Sequence, residues 1–168
     1  MLCAAVFSQN VFAESAVKSE LGKKSYLATQ PDIVGQWKMV YQAVDPRIKD
    51  ESPFFYDDQV WVFSTDGYVK NVAMSPGSTE DKSVYLNTMP KTATFSFPKP
   101  GLLKIERQPQ DIDQIFVSVI NKDVSIPIRP GSPLLQKGDL ILSYMRASKK
   151  NPYMQRYLRR TEIKGVQP

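Results

Sequence analysis

Asp32-Ile33-Val34-Gly35-Gln36-Trp37-Lys38-Met39-Val40-Tyr41 decides how the rest of the chain is read. Trp37, Met39 and Tyr41 recur at every second position, so an extended backbone puts them on one face. Gln36, Lys38 and Gln42 share the other face, with Val40 among them. The spacing predicts a strand over Ile33 to Ala43.

Downstream, the same alternation returns in short runs. Gln59 to Phe63 and Tyr68 to Ala73 flank Thr65-Asp66-Gly67, and Asp-Gly supplies the positive φ that a tight hairpin needs. Ser75 to Lys82 reads as a solvated loop. In Thr92 to Phe97, Ala93, Phe95 and Phe97 fall on one face. Leu102 to Arg107 returns the chain, Gln108 to Asp113 turns it, and Ile115 to Ile120 follows. Asn121-Lys122-Asp123 turns into a run over Val124 to Ile128, and Leu140 to Arg146 is a last apolar strand. Pro152 to Ile163 fits a short C-terminal helix through Tyr153, Tyr157 and Arg160, and fits a strand through Met154, Arg156 and Leu158. Seven to nine short strands at such spacing predict an all-β, antiparallel sandwich or barrel.

Composition narrows the chemistry. The 168 residues contain no histidine, which removes Ser-His-Asp and Cys-His catalysis and every His-ligated metal. Net charge is +5, with Lys149, Lys150, Arg156, Arg159, Arg160 and Lys164 crowded near the C-terminus. Asp57, Asp58, Asp66, Asp111 and Asp113 read as turn residues and form no calcium-loop pattern. Met39, Met74, Met89, Met145 and Met154 lack the close spacing of a copper site and read as packing residues. No cofactor is expected.

At the N-terminus, Leu2 to Phe7 is apolar and Val11-Phe12-Ala13 matches a signal-peptidase site. Residues 1–13 are therefore read as a signal peptide whose start lies inside a longer one, and 14–31 as a flexible linker. Residues 32–163 form the barrel domain. The single cysteine, Cys3, would leave with the leader. A periplasmic or secreted protein is expected, and export argues against a nucleic-acid partner.

Gly35 and Trp37 at the first strand, the run Val62-Phe63-Ser64-Thr65-Asp66-Gly67 and an arginine after the last apolar strand together resemble the lipocalin-like (calycin) barrels, particularly small bacterial exported ones. The resemblance implies an up-and-down antiparallel barrel. It implies that Gly35 and Trp37 close the barrel base, with an arginine across the indole. Arg146 is the candidate for that cation and Arg156 its rival. Such a contact contributes about 0.5–2 kcal/mol.

Met39, Tyr41, Trp61, Phe63, Phe95, Phe97 and Tyr144 would line a cavity or simply fill a small barrel. The expected function is a non-catalytic binding protein for a small apolar or amphipathic molecule, with Tyr41 or Tyr144 orienting it. The alternative is an envelope-associated module with a solid core, docking an anionic membrane surface or an acidic protein through Arg156, Arg159 and Arg160.

Overall fold

The computed structural model describes residues 20–45, 55–75, 77–108, 111–128, 131–145 and 153–168. The leader over 1–13, with Cys3 and its cleavage site, and Arg146 lie outside the described residues.

Among the described residues, nine strands form one antiparallel sheet. They are β1 (Ser25–Leu27), β2 (Gly35–Val44), β3 (Asp58–Phe63), β4 (Val69–Met74), β5 (Thr94–Lys99), β6 (Leu102–Gln108), β7 (Asp111–Ile120), β8 (Leu140–Tyr144) and β9 (Met154–Arg160). Two short helices interrupt them, α1 (Gln30–Ile33) and α2 (Lys82–Thr88). The spatial order is β4-β3-β2-β9-β8-β7-β6-β5, with β1 beside β7. Along that path every neighbour is adjacent in sequence except at β2–β9, where the first and last long strands meet, while β1 pairs with the distant β7 off the path. This is an up-and-down all-β fold, curled into a barrel-like sheet.

Its two edges, β4 and β5, touch at one end only. Tyr68 bridges Thr94, Phe95 N–H donates to Gly67 O at 2.8 Å and Val69 N–H to Ala93 O at 3.0 Å. Beyond that bridge the seam is open. The hairpin before it forms as Thr65-Asp66-Gly67 predicts: Gly67 has φ +83°, a conformation costly for a side chain with a Cβ.

The main core lies inside the curl and is built from alternate residues, among them Trp37, Phe63, Leu103, Ile105, Ile115, Val117, Leu142 and Leu158. Two satellite clusters lie on the outside. α2 and the tail to Val166 cover Val60, Val62 and Val72; α2 is N-capped by Asp81, whose carboxylate accepts from Ser83 N–H at 2.8 Å. The β7–β8 connection covers Ile141 and Tyr157 with Val124 and Leu135.

Several expectations are corrected here. The stretch read as linker is built into the fold from residue 20 on, with residues 20–24 helical and β1 paired to β7. Val124 to Ile128 is not a strand but irregular cover over the outer face. The Ser75 to Lys82 loop leads into a helix at its last residue. The segment open to helix or strand is β9, because pairing with both β2 and β8 satisfies its backbone in extended form.

Glu20 ties the N-terminal residues to the β7–β8 connection. It accepts from Lys24 Nζ at 2.7 Å, from the Ser125 hydroxyl at 2.8 Å and from the Ser125 amide at 3.1 Å. These bonds, that from Lys24 foremost, lower its pKa from 4.5 to about 2. A carboxylate depressed in the folded state contributes fully above its unfolded pKa and loses that contribution as pH falls through its folded one. The difference in urea midpoint between wild type and Glu20→Gln is therefore expected to shrink between pH 4.5 and 2. A constant difference over that window would show that ionised Glu20 is not the stabilising species.

Candidate functional site

Trp37 sits at the base of the curl. Its indole N–H donates to Ile33 O in α1 at 2.7 Å, and it is 1% exposed. The cation across its ring belongs to Arg160, whose guanidinium carbon lies 4.5 Å from the ring centroid. The β2–β9 register pairs Trp37 with Arg160 and so sets this contact. Arg160 also donates to Val34 O at 3.1 Å and Asp32 O at 3.3 Å. Arg156, the rival in the sequence reading, lies further into the barrel.

There the backbone departs from simple alternation. A register shift between Met39 and Tyr41 inserts a bulge into β2. Trp37 and Met39 point inward, but Tyr41 is turned outward onto Tyr157, ring centroids 5.3 Å apart, and Gln42 is turned inward. Tyr41 is thus removed from the interior set by that one extra residue.

Gln42 meets Arg156. The Arg156 Nε donates to Gln42 Oε1 at 2.9 Å and its Nη1 to the Tyr144 hydroxyl at 2.8 Å. Its guanidinium also lies 5.0 Å from the Tyr144 ring centroid and 5.6 Å from that of Trp61. Burial pushes Arg156 below its usual pKa, and pushes Tyr144 up to about 12 against the pull of the cation, so the phenol keeps its proton. Arg156 is 0% exposed. It cannot reach a membrane or an acidic partner, which corrects its assignment to a docking face. Arg159 is bound by Asp139 at 3.0 and 2.7 Å, and Arg160 is committed to Trp37.

Above this layer, along the open β4–β5 seam, lies a cavity of about 580 Å³. β4 lines it with Val69, Asn71 and Ala73, and the link from α2 to β5 with Met89, Pro90, Thr92 and Ala93. Arg107 of β6, Asp113 of β7 and Tyr153 before β9 add further polar groups. Trp61 and Ile105, both buried, join it to the core. The Trp61 indole N–H is buried without an acceptor among the described residues.

No known family model, no curated protein and no solved structure matches this chain.

Of the seven residues expected to line a ligand site, Trp61 alone is in this cavity wall. Met39, Phe63, Phe95 and Tyr144 are packed in the core, with Phe97 half-buried against it. Phe63 stacks on Trp61 at 6.0 Å and meets Phe95 edge-on at 5.2 Å. Arg107, Asp113, Asn71 and Tyr153 were missed. For Asp113 a signal existed: it continues the period-two series of Ile115, Val117 and Val119 backward, where a turn had been expected. Among the described residues no cluster of three metal-ligating side chains occurs, and no helix is long and apolar enough to cross a membrane.

Proposed function

We propose that this protein is a non-catalytic, exported binding protein of lipocalin-like type that holds a small amphipathic molecule in the β4–β5 cavity. The cavity carries the proposal: its size suits a small organic ligand, and its lining combines apolar side chains with a few polar groups. The open seam supplies a route in that needs no rearrangement of the packed interior. The Gly35-x-Trp37 opening, with a cation over the indole, supports the lipocalin-like assignment. Export rests on the Val11-Phe12-Ala13 leader pattern.

Native mass spectrometry of protein purified from its own compartment tests the proposal. A mass excess on the order of a few hundred daltons, lost on denaturation, is expected. A bare chain under both conditions, with no uptake of a neutral amphipathic fluorophore such as N-phenyl-1-naphthylamine, would refute it. Ala73→Phe should fill the cavity from β4 and weaken uptake by about ten-fold or more while leaving the urea midpoint close to wild type. Unchanged uptake in that variant would place binding elsewhere.

A further inference from the structure

The Arg107–Asp113 pair in the cavity wall defines the head group that this cavity would accept. Arg107 Nη2 donates to Asp113 Oδ2 at 2.8 Å, and the two side chains remain 36% and 34% exposed. The Asp113 side chain makes no other hydrogen bond among the described residues, so its Oδ1 is left as an acceptor. Among the same residues the Arg107 side chain has one further, longer hydrogen bond, 3.4 Å from Nη1 to Asp111 Oδ1, which leaves guanidinium N–H groups to donate. Donor and acceptor thus stand side by side in a lining that also holds the apolar Val69, Ala73 and Met89.

Resting on the binding function proposed above, we infer that the ligand is a neutral amphiphile whose head carries an adjacent hydrogen-bond acceptor and donor, as in a carboxamide, lactam or urea. Its carbonyl accepts from Arg107 and its N–H donates to Asp113 Oδ1. Both bonds have one charged partner, which makes them stronger than neutral ones. A carboxylate head gains Arg107 but meets Asp113 and, beside it, Asp111. An ammonium head gains Asp113 but meets Arg107. Either ion must sit against a like charge or break an existing pair, and this repulsion is what gives selectivity. Arg156, whose charge is felt at Asp113, is fully buried and outside the cavity lining, so it offers no group for a head to touch.

Octanamide, octanoate and octylammonium share a tail and differ in head, so calorimetric titration of the full chain with each at neutral pH reads the head alone. Octanamide is expected to bind about ten-fold tighter than either ion. Asp113→Asn leaves Arg107 with only its longer Asp111 contact as a counter-charge and is expected to weaken octanamide and strengthen octanoate. Arg107→Gln is expected to strengthen octylammonium instead. A loss of folding would weaken all three probes together, so opposite shifts in rank separate recognition from a structural role. If octanoate or octylammonium binds tightest to wild type, or the variants leave the ranking unchanged, the inference is overturned while the binding function stands. If no probe binds at all, the binding function itself fails and the head-group inference with it.

Discussion

Arg156→Ala should lower the unfolding free energy by about 3 kcal/mol or more. The side chain is fully buried among aromatic rings, so truncation leaves a cavity the size of its long stem. It also strips a charged donor from the half-buried Gln42 Oε1 and from the buried Tyr144 hydroxyl, and losing a hydrogen bond from a charged donor costs about 1–3 kcal/mol. Arg156→Met keeps the packed stem while losing those donors, and is expected to recover roughly half of the loss. Urea denaturation of the three proteins at one pH, compared at equal m, gives the measurement. A loss below about 1 kcal/mol for Arg156→Ala would mean the interior repacks around the gap.

The second large effect is expected at Gly35. Its φ is +135°, and a Cβ added there would lie 2.4 Å from Arg160 Nη1. Gly35→Ala therefore both strains the backbone, by about 1–3 kcal/mol, and drives the guanidinium off Trp37, forfeiting about 0.5–2 kcal/mol more. The two parts separate in a double-mutant cycle with Arg160→Ala. With Arg160 already truncated, Gly35→Ala should cost only the backbone strain, so the double variant is less damaged than the sum of the singles. Strict additivity would show that Gly35 does not serve to seat Arg160.

The start of β2, the Thr65-Asp66-Gly67 hairpin and the all-β, antiparallel class were legible because each is written in local sequence. The cation over Trp37 was not, since Arg160 is chosen by the β2–β9 register and two arginines nearer in sequence pattern compete for the role. Tyr41 and Gln42 exchanged faces because one bulged residue inverts a period-two pattern, and no residue type near Met39 announces it. An arginine at full burial contradicts the usual cost of a charge away from water. The joint supply of Gln42, Tyr144 and the ring faces, from three separate strands, helps to offset it. α2 escaped detection because seven residues bury only Leu86 and leave no helical stripe to see.

β2 and β9 stand at opposite ends of the folded chain, yet they form the seam that joins its two halves. Closing so long a loop carries an entropic cost that no short-range contact repays, so this pairing belongs late in folding. Until it forms, β2 and β9 are both bare edges, and the aromatic and aliphatic side chains between them face water. A nascent chain emerging with β2 first must keep that strand from pairing with a neighbour until its own C-terminal residues arrive. Slow maturation and a hazard of intermolecular pairing are thus built into the connectivity itself.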